Sequence, residues 1–316
     1  MLNLKISLHT VSYSGFFYRG EPLSIKDIIL RLSDFGYDGV ELMAKRPHAN
    51  PVDLDEKSRK ELRELAESHS IELANLAAYN DFSGPDQFKR ELNLLYINKV
   101  LELARDLDIP TVRVFAAGMK DVDPTLPYWK QWELCREGLC EAAKWAEEYG
   151  VTLALQNHPP IIESFKDTIE MIEEVGNDAL KACIDPELLL WSGDIDPYSE
   201  NLEEKLLEIY NECKGLLVFV HVGDSIVRPR KTLWLPGGGG SKLKAERVER
   251  TVLGEGTFGI IAESFIKTLK RINYNGFLSY EICSPRYVKH TLIDFETLDR
   301  EVSRGVKYLK DLISKV

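Results

Sequence analysis

Short apolar runs alternate with amphipathic segments along the whole sequence, and this alternation constrains the fold more than any other feature. The apolar runs have the length of buried strands, and the segments between them carry apolar residues at helical spacing. Strands and helices that alternate eight times in one pass predict a (β/α)8 TIM barrel rather than a doubly wound sheet. We therefore expect an α/β fold with one domain over residues 1–316.

The predicted strands cover residues 4–11, 39–43, 71–79, 111–118, 151–160, 180–186, 215–224 and 276–283. The predicted helices include 55–70, 87–107, 128–149, 164–175 and 295–312, and Ser24 is the expected cap of the first helix. Residues 225–256, after the seventh strand, form a connection far longer than is usual in such folds. Its four consecutive glycines indicate a hinge, so we expect a lid or partner-binding arm, or else a disordered insertion.

Charge and composition exclude several classes of protein. The formal net charge is -11 and the pI is near 5.2, whereas nucleic-acid-binding proteins normally carry a basic surface. No apolar run approaches the ~20 residues of a membrane span, and the N-terminus lacks the pattern of a signal peptide. Five cysteines without a CxxC pair favour reduced thiols. We expect a cytoplasmic protein without nucleic-acid or membrane partners.

Polar residues stand at the C-terminal ends of four consecutive predicted strands. They are Gln156, Asp185, His221 and Glu281. In a barrel these strand ends meet at one mouth, where active sites lie. Three oxygen donors and one imidazole suit a divalent ion, with Mn²⁺ favoured and Mg²⁺, Co²⁺ or Zn²⁺ as alternatives. Each residue alone also has a structural explanation, as a turn former or a buried hydrogen-bonding group.

Other polar residues are predicted near the same mouth. His158 shares a strand face with Gln156 and titrates near neutrality, which makes it a candidate catalytic base. Inward barrel positions and one loop supply the candidate substrate-binding residues. They are His9, Glu41, His48, Arg113 and Arg286. Inward positions also host structural hydrogen bonds, and Arg286 either binds a carboxylate or phosphate or pairs with a surface acid.

Several motifs together resemble the xylose-isomerase-like barrel family of sugar phosphate isomerases and epimerases. They are FGYDGVEL, LALQNH, CIDP, VHVGD, LGEGTFG and LKRINYNGFLSYEI, and they span nearly the whole chain. The resemblance implies a metal held by a glutamate, an aspartate, a histidine and a second glutamate. The last three fall on Asp185, His221 and Glu281, whereas the first position is Gln156.

The glutamine changes the chemistry that the resemblance implies. Epimerases of that family use the two ligand glutamates to remove and return a proton on opposite faces of the sugar, but Gln156 cannot accept a proton. Those epimerases also have a histidine three residues after the aspartate, where this chain has Leu188. This chain also resembles related lyases that cleave 3-oxo sugars from glycosides. Those lyases have a histidine two residues beyond the metal ligand of the fifth strand, which is the position of His158 here.

We therefore expect a metal-dependent enzyme that moves a proton next to a carbonyl of a sugar or oxo-sugar, with Glu281 and His158 as catalytic residues. Isomerisation or epimerisation is the reaction that the resemblance favours. One alternative is β-elimination by a dehydratase or by a deglycosidase of 3-oxo-glycosides or C-glycosides. Another is a barrel that binds a sugar or a partner without turnover. A homo-oligomer, or a complex with a partner subunit, is the expected assembly.

Overall fold

The computed structural model describes residues 4–118, 123–162, 164–229, 233–234, 242–243 and 246–316. Its strands are β1 (Lys5–His9), β2 (Gly39–Met43), β3 (Glu72–Ala77), β4 (Thr111–Val114), β5 (Thr152–Gln156), β6 (Leu180–Ile184), β7 (Leu217–Val222), β8 (Ser225–Pro229), β9 (Leu233–Trp234), β10 (Lys242–Leu243), β11 (Glu246–Arg250), β12 (Phe277–Tyr280), β13 (Tyr287–Val288) and β14 (Thr291–Leu292). Eight of them form a closed barrel in the order β1-β12-β7-β6-β5-β4-β3-β2, and every pair of barrel neighbours is parallel.

The helices follow the barrel strands along the chain. They are α1 (Ile25–Phe35), α2 (Glu56–Ser68), α3 (Gln87–Asp106), α4 (Tyr128–Tyr149), α5 (Phe165–Val175), α6 (Pro186–Ser192), α7 (Leu202–Glu212), α8 (Thr257–Arg271) and α9 (Phe295–Lys315), with a 3-10 helix at Thr10–Tyr13. This architecture confirms the predicted (β/α)8 barrel. Among the described helices, none is both long enough and apolar enough to cross a membrane.

Local signals explain where the helices begin and end. Ser24 caps α1 as predicted, because its side chain accepts a hydrogen bond from the backbone N–H of Asp27. The same helix ends at Gly36, whose left-handed conformation (φ 84°) suits a residue without a Cβ. Ser164 and Asp167 form a capping box at the start of α5. These caps are short-range features, so the sequence located the helices well.

The inside of the barrel is built in layers because side chains two residues apart share a strand face. A lower apolar layer includes Ala154, Cys183 and Phe219, all buried. Two residues further along β5 and β7 stand Gln156 and His221, and the ring of Phe219 lies 5.7 Å from that of His221. The apolar layer therefore forms a floor under the polar mouth.

Asparagine side chains hold neighbouring strand ends in register at the mouth. The Asn157 side chain accepts a hydrogen bond from the N–H of Asp185 (2.8 Å) and donates one to its carbonyl (3.3 Å). Asn80 makes the same pair of contacts with the backbone of Phe115, at 3.0 and 2.6 Å. Each clamp satisfies backbone groups where the regular ladder ends. The clamp on Asp185 fixes the backbone of a predicted metal ligand.

Most barrel strands are shorter than predicted; β4, for example, ends at Val114 rather than at residue 118. β1 ends at His9 rather than at residue 11, because the chain turns into a 3-10 helix. The long connection contains strands instead of being a simple loop. Its β8 and β11 pair as an antiparallel ribbon, and β9 pairs with β10. Residues 237–240, the predicted glycine hinge, lie outside the described residues. The role of the connection as a lid or partner arm stays a prediction.

Asp224 anchors the far end of this connection to the barrel. Its buried carboxylate accepts hydrogen bonds from the backbone N–H groups of Gly254, Gly256 and Phe258, at 2.8 to 2.9 Å. Gly256 is the N-terminal flanking residue of α8, which supplies no side-chain cap of its own. One carboxylate two residues after β7 thus fixes where the chain re-enters the barrel.

We predict that Asp224→Ala destabilises the protein by about 2–3 kcal/mol, because one buried and two partly buried N–H groups lose a charged acceptor. The measurement is urea unfolding followed by circular dichroism. Asp294→Ala is the matched control, since Asp294 caps α9 through the single N–H of Thr297 and its loss should lower the unfolding free energy by only about 1 kcal/mol. Equal losses in the two variants would contradict the anchoring role.

Candidate active site

The structure brings the four predicted metal ligands together at the mouth. One ligand atom each from Asp185, His221 and Glu281 lies within 4.8 Å of the other two, and all three residues are buried. The side-chain nitrogen Nε2 of Gln156 lies 3.1 Å from Nδ1 of His221. Rotation of this amide would present its oxygen instead, because the two ends of the group are nearly alike in shape. The donor set therefore fits a divalent ion.

A buried carboxylate orients the histidine of this cluster. Nε2 of His221 lies 2.9 Å from Oε1 of Glu41, and Glu41 is fully buried. The same Glu41 accepts hydrogen bonds from Asn75 (2.8 Å) and Ser279 (2.5 Å). With a proton on Nε2 directed at Glu41, the lone pair of Nδ1 faces Gln156 and Glu281. Histidine ligands are held in this way by carboxylates in many metal sites.

Glu41 lies on the second strand, as predicted, and both of its oxygens are bound by neighbouring side chains inside the barrel. These contacts orient His221, as expected for a structural hydrogen bond at an inward barrel position. A contact of Glu41 with a substrate stays a prediction. Asn75 and Ser279, which complete this arrangement, were not predicted, although a polar residue in the middle of an apolar strand is a signal that could have found them.

His221 and the carboxylates of Glu41 and Glu281 shift one another's pKa values. Burial alone would lower the pKa of His221, but the carboxylates of Glu41 and Glu281 outweigh it and raise the pKa. Burial alone would raise the pKa values of those two carboxyls, yet the charges of His221 and His9 hold both below their usual range. Glu281 is therefore ionised near neutral pH and can ligate an ion or accept a proton.

Asp185 behaves in the opposite way. Burial, together with repulsion from Glu187 and Glu281, raises the pKa of Asp185 to about 8. Its Oδ1 accepts the N–H of Glu187 at 2.8 Å, as expected for the cap of α6. In the metal-free protein Asp185 thus holds a proton near neutral pH, and an ion has to displace it.

Glu187 and Arg250 form a second buried pair beside the cluster, and neither was predicted. Nη1 of Arg250 donates to Oε2 of Glu187, and the rest of the guanidinium reaches Ser284 and Cys283 at 2.9 Å. A Cβ on Gly223 would lie 2.5 Å from Nη1 of Arg250 and 2.9 Å from Oε2 of Glu187, so a side chain at residue 223 would displace this pair. Since Arg250 ends β11, this pair ties the inserted ribbon to the mouth.

His158 lies at the mouth, as the sequence predicted. Its Nδ1 is 2.6 Å from the carbonyl of Pro159, and its ring packs 4.6 Å from that of Phe115. Burial lowers the pKa of His158, and the charges of Arg113 and Glu281 also act on it. The imidazole is therefore neutral near pH 7 and can accept a proton. Its catalytic role stays a prediction.

The remaining predicted residues occupy different positions. His9 lies 3.2 Å from the hydroxyl of Tyr79, and burial lowers the pKa of His9 to about 4. His48 is buried, and its pKa is also lowered to about 4 by burial. Arg113 is buried at the mouth, where it donates to the carbonyl of Ala78. Arg286 lies beside Glu301 on α9, so part of its charge is already paired with an acid.

The chain is similar to known proteins in sequence and in fold. The model of the xylose isomerase-like TIM barrel family matches residues 29–312. Over 257 residues the chain is 24% identical to fructoselysine 3-epimerase of Escherichia coli O157:H7, which corresponds to 78% of this chain and 87% of that protein.

Solved structures share the barrel at low sequence identity. The D-psicose 3-epimerase of Clostridium cellulolyticum H10, with D-tagatose, has a TM-score of 0.71 and 18% identity over 98% of this chain and 99% of its own. The IOLI protein, solved with a binding zinc atom, has a TM-score of 0.71 and 20% identity over 99% of each chain. At these identities the likeness establishes a common fold.

We predict that Asp185→Ala and His221→Ala each abolish stoichiometric Mn²⁺ binding, because each removes a central donor. The measurement is metal content by elemental analysis after dialysis, with circular dichroism to confirm the fold. His69→Ala, at the end of α2, is the matched control and should keep the metal. Unchanged metal content in both cluster variants would exclude this site.

Metal affinity should also rise with pH. Because the pKa of Asp185 is raised to about 8, a proton competes with the ion below that pH and is released when the ion binds. We expect affinity to increase about tenfold per pH unit between about pH 6 and 8 and to level off above that range. Titration calorimetry in buffers of different ionisation enthalpy measures the released proton. An affinity independent of pH would show that Asp185 is already ionised.

Proposed function

Because the chain belongs to the xylose isomerase-like TIM barrel family, we propose that it is a divalent-metal enzyme that moves a proton next to a carbonyl group of a sugar or oxo-sugar. The observation that carries this proposal is the buried cluster of Asp185, His221 and Glu281 at the barrel mouth. The fructoselysine and D-psicose 3-epimerases among the similar proteins act on sugars, which supports the substrate class. Mn²⁺ is our favoured ion.

Asp185, His221 and Glu281 would hold the ion, and the amide oxygen of Gln156 would complete the set. When bound, a divalent ion supplies Lewis acidity that polarises a carbonyl or a vicinal hydroxyl. The protein contributes the geometry: Glu41 fixes the ring of His221, and Asn157 fixes the backbone of Asp185. These supporting contacts keep the donors in place in the buried mouth.

Two groups of this chain can move the proton. Glu281 is ionised and follows β12, whereas His158 is neutral and follows β5. Two strands, β6 and β7, separate those elements in the barrel, so the two groups approach the mouth from different sides. Gln156 cannot take part, since an amide neither gains nor loses a proton near neutral pH. We therefore assign proton transfer to Glu281 and His158.

This pair favours isomerisation or epimerisation, in which a proton leaves one carbon and returns to the same or the adjacent carbon. The replacement of a ligand carboxylate by Gln156 favours a second candidate, β-elimination from an oxo-sugar, because elimination needs one base at carbon and an acid for the leaving group. A dehydratase or a deglycosidase would act in this way. The two reactions differ in their products and can be separated directly.

We also propose that the protein acts in the cytoplasm and assembles with itself or with a partner subunit. The position of the inserted ribbon of β8 and β11 supports the assembly with a partner. It starts at Ser225, directly after β7, and returns at Arg250, which contacts Glu187 beside the metal cluster. A subunit bound to this ribbon would therefore lie next to the active site.

We predict that His158→Ala lowers turnover by about 10²-fold while Mn²⁺ stays bound, the usual effect of removing a general acid or base. The assay incubates the Mn²⁺-loaded protein with ketoses and 3-oxo-glycosides in deuterated water and follows products by NMR. An isomerase or epimerase places deuterium on carbon, and a lyase releases an unsaturated or cleaved product. Full activity of His158→Ala would leave the proton to Glu281, and a lack of bound metal in the wild type would refute the proposed function.

A further inference from the structure

One wall of the mouth carries two cationic side chains that form no ion pair with a described carboxylate, although the charge of Arg113 contributes to the lowered pKa of Glu41. Arg113, on β4, is 2% exposed. Its Nη1 donates to the carbonyl of Ala78 at 2.7 Å, but its Nε has no hydrogen-bond partner among the residues that the structure describes. Lys45, two residues after β2, is half-buried. In the described part of the chain, no carboxylate lies within ion-pairing distance of either group.

Aromatic rings frame both cations. The guanidinium carbon of Arg113 lies 3.9 Å from the ring centroid of Phe115 and 5.0 Å from that of Tyr79. Nζ of Lys45 lies 3.5 Å from the same Tyr79 centroid. The two charges are therefore neighbours, and burial together with the charge of Arg113 lowers the pKa of Lys45. Rings stabilise cations only in part, so the mutual repulsion remains.

Such an arrangement is unfavourable unless an anion completes it. A cation that is partly removed from water without a counter-charge is unfavourable, and the repulsion between Arg113 and the half-buried Lys45 adds to this cost. Most other buried ions at the mouth are balanced: Glu187 pairs with Arg250, and a divalent ion would offset two of the three charges of Glu41, Asp185 and Glu281. Arg113 offsets the third. Because Gln156 is neutral where a carboxylate is otherwise expected, Lys45 is left as one uncompensated positive charge.

We propose that the substrate carries a carboxylate and that Arg113 and Lys45 bind this group. The two cations lie on a different wall of the mouth from the acidic residues of the metal cluster. The Nη1 of Arg113 is engaged by Ala78, whereas Nε, on the opposite edge of the guanidinium beside Nη2, has no partner among the described residues. Two parallel N–H donors on such an edge match a carboxylate in a bidentate contact, and the mobile ammonium of Lys45 adds charge. The substrate class is thus an acidic sugar, such as a uronate or an oxo-acid.

This inference rests on the proposed function, because the charge balance includes the divalent ion. It also gives the orientation of the substrate. The carboxylate end lies toward β2 and β4, and the reacting carbonyl end lies toward β5, β6, β7 and β12, where His158 and the metal cluster stand. A neutral sugar would leave the positive charge of Lys45 without a counter-charge.

The test measures binding by titration calorimetry with the Mn²⁺-loaded protein and three probes: D-glucose, D-glucuronate and D-glucose 6-phosphate. We expect D-glucuronate to bind at least about tenfold more tightly than D-glucose, with a preference that weakens at high salt. Lys45→Met should remove about tenfold of that preference, Arg113→Gln should remove more, and Lys45→Arg should restore it. Lys57→Met, on the exposed face of α2, is the matched control and should leave binding unchanged.

Three results would overturn the proposal: no binding of D-glucuronate at millimolar concentration, equal affinity for D-glucose and D-glucuronate, or an unchanged preference in Lys45→Met. Tighter binding of D-glucose 6-phosphate than of D-glucuronate would overturn the carboxylate assignment. Metal content and deuterium incorporation are measured on the same samples. If the protein binds the metal and exchanges protons only with neutral ketoses, this inference is wrong but the proposed function stands. If the protein prefers a carboxylate but neither binds the metal nor exchanges protons, the proposed function is wrong.

Discussion

The hydrogen bond between Glu41 and His221 is the contact on which the rest of the site depends. It joins β2 to β7 across the inside of the barrel, and Asn75 from β3 and Ser279 from β12 secure the same carboxylate. A fully buried carboxylate is unfavourable unless it is completely hydrogen-bonded, and here three side chains from three other strands meet that requirement. The result is an imidazole with a fixed ring plane and a fixed free nitrogen, which is what a metal ligand needs.

The candidate metal ligands and the cations of the mouth lie at different strands. Asp185 and Glu281 directly follow β6 and β12, whereas Lys45 follows β2 and Arg113 lies on β4. The rings of Phe115 and Tyr79 support Arg113. The glutamine at residue 156 has two consequences, because its amide neither accepts a proton near neutral pH nor adds a negative charge to the mouth.

The backbone around this mouth is held by side chains rather than by the regular ladder alone. Asn157 and Asn80 bind the residues that follow β6 and β4, and Asp224 binds the loop that leads into α8. Arg250 extends this support from the inserted ribbon to Glu187. Loops at the end of a barrel have few backbone partners of their own, so such contacts decide how precisely the catalytic groups are placed.

The sequence determined the fold almost completely, because its signals are local. Caps such as Ser24, apolar strand runs and helical periodicity depend only on nearby residues, and β2 and α4 have the bounds that were predicted. The barrel also places strand ends together, so Gln156, Asp185, His221 and Glu281 could be named in advance. What only the tertiary structure decided was the partner of each side chain. Glu41 contacts His221 across 180 positions of the sequence, and Glu187 pairs with Arg250 across 63. Such pairs are set by packing between distant segments, and a single sequence carries no signal for them.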